Sequence, residues 1–171
     1  MFEISISQTG LEDVFAMLKR VETFCADPIT PVKDELTQWF RSMEARIFTS
    51  QGASGRAGRW PGLSPRYQAQ KARRYPGRTI LERTGRLRAS LQVETGDSIV
   101  ESSPGRLVLG TRVPYGRYHQ KGEGVPRRAP IDMTDRDAAA AMAIVRRRLE
   151  ANIRKGAGAN RSFPVADKVF V

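Results

Sequence analysis

The chain has one cysteine, one histidine and two tryptophans in 171 residues. The lone Cys25 excludes an intrachain disulfide and fits a reducing compartment. It falls in the apolar pattern of a helix, where a free thiol behaves as a small buried hydrophobe. One histidine and one cysteine are too few to build a zinc site. A catalytic histidine needs an orienting carboxylate and a nucleophile, and the acid nearest to His119 is Glu123, on a glycine-rich segment without fixed geometry. His119 is therefore expected to be structural or interfacial, with no catalytic, cofactor or metal site in the chain. The phosphate-binding patterns GxxxxGK[ST] and GxGxxG are missing. No apolar run approaches the ~18 residues that span a bilayer. The opening MFEISISQTGLEDVF has no basic patch followed by an apolar run, so no signal peptide is expected.

Acid is scarce where base is plentiful. The formal net charge is +11, a balance that favours contact with nucleic acid or with acidic surfaces. Between Arg56 and Arg88 the only acid is Glu82, and Trp60, Tyr67 and Tyr75 interleave with the arginines. Two readings of that run stand side by side. The aromatics stack on bases, or they cover the body of the fold while the arginines face water or an acidic partner.

An apolar fraction of 40% and a charged fraction of 27% describe an ordinary globular chain, and the length fits one domain. FEISIS alternates as a half-buried strand does. Leu11, Val14, Phe15, Leu18, Val21, Phe24 and Cys25 then trace one helix face, broken at Asp27-Pro28. A second amphipathic helix carries Val32, Leu36, Trp39, Phe40, Met43, Ile47 and Phe48. Both helices are expected to pack on a sheet, through Phe15, Leu18, Trp39 and Phe40. Ser64 and Pro65 open a short basic helix holding Arg73 and Arg74, and a further helical segment, ILERTGRLRASL, is weakened by Gly85. SLQVET, SIVES and RLVLG read as an antiparallel meander with turns at Gly96-Asp97 and Pro104-Gly105. Thr134 caps a last helix whose stripe is Ala138, Ala141, Met142, Val145, Leu149 and Ile153. The expected fold is α+β. An antiparallel sheet, formed by the meander and the N-terminal strand, packs against a few amphipathic helices. Residues 1–155 form a single domain and 156–171 a flexible tail.

Two segments rich in glycine or proline remain, Ser50–Gly62 and Gly110–Pro130. Their composition predicts loops that order only against neighbouring molecules, anchored by Trp60 and Tyr115.

The ordered series RWPGLSPRYQAQK, ILERTGRLRASL, GTRVPYGRYHQKG and PRRAPID resembles the phage virion morphogenesis family, which includes the Mu-like G protein and the tail completion protein S group. The matching positions are Trp60, Leu63, Ser64 and Lys71; then Leu81, Thr84, Gly85, Leu87 and Ser90; then Tyr115, His119, Gln120 and Gly122; then Arg128, Pro130 and Ile131. Gly116 stands where the family tends to have alanine, and Ala129 intervenes between Arg128 and Pro130. The resemblance implies a non-enzymatic structural protein of the virion, assembled in the host cytoplasm. It would finish the tail or join it to the head, in a homo-oligomeric ring that contacts other tail or head-connector proteins. Trp60, Arg73, Arg74, Tyr115, His119, Arg127 and Arg128 are the residues expected at its assembly interface. The charge leaves open an alternative, a small basic nucleic-acid-binding protein, or a non-specific DNA contact within the virion.

Overall fold

The computed structural model describes residues 9–157. The expected strand FEISIS and the expected tail beyond residue 157 lie outside the described residues. The chain runs through α1 (Thr9–Ala26), a 3-10 turn (Thr30–Val32), α2 (Lys33–Thr49), α3 (Pro65–Arg74), α4 (Arg86–Gln92), β1 (Ser98–Ser103), β2 (Arg106–Thr111), α5 (Gly116–Lys121) and α6 (Asp135–Ala157). This is an α+β fold in which helix dominates.

The core is the apolar face of α2. Phe40, Met43, Ile47 and Phe48 pack with Trp60, Leu87, Leu91 and Val113, while Trp39, Ile80, Leu81, Leu109 and Ile131 close its edges. The 3.6-residue period of α2 puts these side chains on one stripe. Trp39, expected to be buried, is only half-buried at the rim of that stripe.

The meander is a two-stranded antiparallel hairpin, β1 with β2, in register from Ser98–Thr111 to Ser103–Arg106. The expected first strand, SLQVET, is instead the end of α4 followed by a turn. Leu87 and Leu91, one helical turn apart, both reach the α2 core, so helical spacing prevails over strand alternation. Gly85 adopts φ 79° at the N-cap of α4, which starts that helix later than the sequence pattern suggests.

α1 packs on α6 rather than on a sheet. Phe24 is buried, but Phe15 and Leu18 are 67% and 51% exposed, so the expected packing through these two does not occur. Cys25 is exposed as well, not the buried thiol expected from the apolar pattern. Seven apolar positions span too wide an arc for one neighbouring helix to cover.

Two corners brace the body. The Asp27 carboxylate accepts hydrogen bonds from the backbone of Thr30 (3.0 Å) and, across the fold, of Gly105 in the hairpin turn (3.1 Å). Bonding to the Thr30 side chain and to these backbone amides lowers its pKa to about 2. At the start of α6, Thr134 and Asp137 form a reciprocal cap (Asp137 N to Thr134 Oγ1, 3.2 Å; Thr134 N to Asp137 Oδ2, 3.0 Å), and Arg46 of α2 reaches the same carboxylate at 2.5 Å.

A carboxylate lies within the buried stripe of α2. Glu44 is fully buried on α2, and neither carboxylate oxygen has a partner among the described residues. Burial, reinforced by the nearby Asp132 charge, raises its pKa to about 9, so it stays protonated at neutral pH. The folded chain thus holds a proton that the unfolded chain releases above pH 4.5, and stability must fall as pH rises from there toward 9. At ~1.4 kcal/mol per pH unit, the loss reaches about 3 kcal/mol by neutral pH. Glu44→Gln removes this dependence. Thermal melts should show variant and parent alike near pH 4, with the variant increasingly more stable up to pH 9. A constant difference across that range contradicts a neutral buried Glu44.

Candidate functional site

The sequence motifs converge on one polar knot that ties three loops to the core. Trp60 sits at its centre, 5% exposed. Its ring meets Phe48 edge-on, with centroids 5.3 Å apart and planes at 86°. Its backbone N–H donates to Gln51 O (2.8 Å) and its indole Nε1 donates to Ala129 O (3.1 Å). Gly52 makes room for this. It holds φ +85°, and a Cβ there would run into the indole ring. Ser50–Gly62 therefore wraps its own tryptophan.

Arg128 locks the exit of that loop. Its guanidinium is buried and donates from Nε to Pro61 O and from Nη2 to Gly62 O, both at 2.7 Å. Its backbone N–H bonds His119 O at 2.9 Å, and its neighbour Arg127 donates from Nε to Gln120 O at 3.2 Å. Gln120 clamps Ile131 through both ends of its amide, Nε2 to Ile131 O (2.7 Å) and Ile131 N to Oε1 (3.1 Å). Gln51 clamps the residue 80 turn in a similar way. Its Oε1 accepts from Ile80 N at 3.0 Å, while Nε2 reaches Phe48 O at 2.7 Å. The buried ammonium of Lys71 donates to Thr79 O. Each long polar side chain here serves backbone groups that would otherwise lack partners.

The 110–130 segment is thereby anchored rather than open. Val113 enters the core, α5 forms, and Gly116 packs so closely that a Cβ there would lie 3.2 Å from Leu87 Cδ1. Gly122 ends α5 at φ 81°. His119 is half-buried on α5, and its Nδ1 has no partner among the described residues. Burial first, and the Arg128 charge second, lower its pKa and keep the imidazole neutral.

The knot brings together Trp60, His119, Arg127 and Arg128, but as parts of a support. Trp60 and Arg128 are buried, and their side chains bond to backbone carbonyls of the same chain. Tyr115, 38% exposed, faces outward at the start of α5. Arg73 and Arg74 sit apart from the knot, exposed on α3. Neither periodicity nor motif singles out Gln51 and Gly52. Their one signal is a polar, flexible pair directly after an amphipathic helix, where carbonyls need capping.

Polar side chains used this way hold the fold together by clamps across its loops. The class of protein comes from comparison with known families. The model of the phage virion morphogenesis family matches residues 6–154, and the chain belongs to that family. Its role is accordingly one of phage structure and assembly. No curated protein and no solved structure matches the chain.

Two substitutions probe the knot. Arg128→Met strips the two charge-assisted bonds to the Pro61 and Gly62 carbonyls, which should cost about 3 kcal/mol. Urea titration at constant m value reads the loss, and a change below ~1 kcal/mol contradicts the role given to Arg128. For His119, the unfolded chain takes up a proton below pH 6.5 that the folded chain resists, so its contribution to stability is lost as pH falls through that value. His119→Gln should be modestly less stable near pH 7.5 yet less sensitive to acid between pH 7 and 5. An unchanged slope contradicts a neutral, buried imidazole.

Proposed function

We propose that this chain acts in tail completion or head–tail joining, as a ring of identical subunits assembled in the host cytoplasm and carried in the virion. It would contact other tail or head-connector proteins. Family membership supports the assembly role. The ring is supported by what the fold leaves outside its core. Val14, Phe15 and Leu18 of α1 are 47%, 67% and 51% exposed along one helical face. Apolar side chains grouped in this way mark contact surfaces. On α5, Tyr115 and Tyr118, three residues apart, are exposed together beside Arg117, whose guanidinium lies 4.8 Å from the Tyr118 ring centroid. Tyrosine and arginine are among the residues enriched at interfaces. The knot would keep these faces in fixed relation, which a closed ring requires of every subunit.

Light scattering on purified protein, with electron microscopy of the same sample, tests the ring. The parent should give a mass several times 19.1 kDa and annular particles, alone or on tails. Phe15→Glu with Leu18→Glu should give a folded monomer that no longer completes tails. A parent that stays monomeric at all concentrations, with tails completed equally well by the double variant, contradicts this function.

A further inference from the structure

Charge is unevenly paired over the molecule. On much of the body, arginine and carboxylate interleave, in pairs such as Arg41–Glu94, Arg86–Asp97, Arg112–Glu101 and Arg147–Glu35. The segment 59–83 is different. Arg59, Arg66, Arg73, Arg74, Arg78 and Arg83 are all exposed and meet no carboxylate among the described residues. The only acid there, Glu82, is buried and bound to Arg88 at 2.6 Å.

The helix inside this segment is equally unusual. α3 buries a single residue, Lys71, and that ammonium is committed to Thr79 O. Its other side chains stand in solvent, and it packs on the turn that follows it rather than on another helix. Arg66 and Arg73 lie two turns apart, ~10 Å along the axis, on the face opposite Lys71, with Arg74 on the flank. Ser64 caps the N-terminus through its hydroxyl, which accepts from Tyr67 N at 3.4 Å.

The geometry points to a contact surface for double-stranded DNA on α3 and the turns beside it, gripping phosphates through these six guanidiniums without reading sequence. Three observations select this ligand. The outer face of α3 is positive and carries few apolar groups, as DNA-binding faces do, whereas protein interfaces carry an apolar centre. Tyr67, 39% exposed, is the only large apolar side chain that α3 shows to solvent, too little for the row of aromatics on which single strands stack. On α1, where acids outnumber bases, a second copy of the chain offers no strongly acidic face to match it. The unpaired acids of α1, Glu12, Asp13 and Glu22, share that helix with Lys19 and Arg20, so their net charge is only −1 (two positive less three negative). This surface goes beyond the assembly role and does not depend on the ring, since a free monomer presents it too.

Fluorescence anisotropy with mixed-sequence duplexes of about 20 bp, titrated between about 0.05 and 0.3 M KCl, tests it on the full chain. Each guanidinium removed from a phosphate should flatten the plot of log K against log salt by about 0.9. Arg66→Gln, Arg73→Gln and Arg74→Gln combined should therefore reduce the slope by about 2.7, whatever the duplex sequence. Arg78→Gln with Arg83→Gln, outside the helix and harmless to it, should reduce it by about 1.8. The control removes the same charge elsewhere, through Arg146→Gln, Arg148→Gln and Arg154→Gln on α6, and should keep the parental slope. Circular dichroism checks that every variant is folded. Equal flattening by the α3 and α6 triples would reduce the effect to net charge and overturn the assignment. So would a parental slope in both the α3 and the turn variants. Failure of the parent to bind duplex at about 0.05 M salt would also overturn it, and would turn the surface toward an acidic protein instead.

Discussion

The structure depends on one buried guanidinium. Arg128 places its fork against the carbonyls of Pro61 and Gly62, far away in sequence, and in doing so holds the loop that delivers Trp60 to the core. A buried charge is costly unless its donors are satisfied. Here the donors are satisfied by two backbone carbonyls, at 2.7 Å each, which offsets the desolvation of the guanidinium. Arginine suits this position better than lysine, because its planar fork can serve two carbonyls at once.

From that contact the rest follows outward. Trp60 fixes the Ser50–Gly62 loop against Phe48 and donates to Ala129 O, which ties the residues after Arg128 to the same core. Gln120 and Gln51 then fasten two further segments by pairing with backbone as a neighbouring strand would. A fold with only two strands among its described residues has little sheet with which to satisfy loop backbone, and these amides take over that task. The result is a fold whose interior is closed by long polar side chains, while α1, α3 and α5 keep large side chains exposed.

Much of this was legible in the sequence, for reasons that differ by element. α2 shows a clean helical stripe, and the expected core residues Leu36, Phe40, Met43, Ile47 and Phe48 are buried on it. Glu44 could have been read from the same stripe, four residues after Phe40 and three before Ile47, since that spacing puts it on the buried face. Ser64 and Pro65 announce α3, and Pro104-Gly105 announces the hairpin turn. The fate of SLQVET was not legible, because a short apolar segment satisfies strand and helix periods alike until its partners are known. The half-covered face of α1 could not be read either. Periodicity says which side chains share a face, but not how wide a neighbour will cover it.

The two loops carry the sharpest lesson about the site. Glycine and proline suggested segments that wait for a neighbour to order them, yet Trp60, Arg128 and Pro130 are buried. Composition records backbone freedom, whereas order here comes from single side chains reaching some 70 residues along the chain (Trp60 to Ala129). Four of the motif residues, Trp60, Lys71, Gln120 and Arg128, make such reaches through their side chains. Native-state hydrogen exchange on the free subunit tests this most directly. The amides of Trp60, Ile80, Arg128 and Ile131, bonded to Gln51 O, Gln51 Oε1, His119 O and Gln120 Oε1, should be protected nearly as well as those in the middle of α2. Exchange of these four at the rate of unstructured chain, while α2 stays protected, would contradict the account.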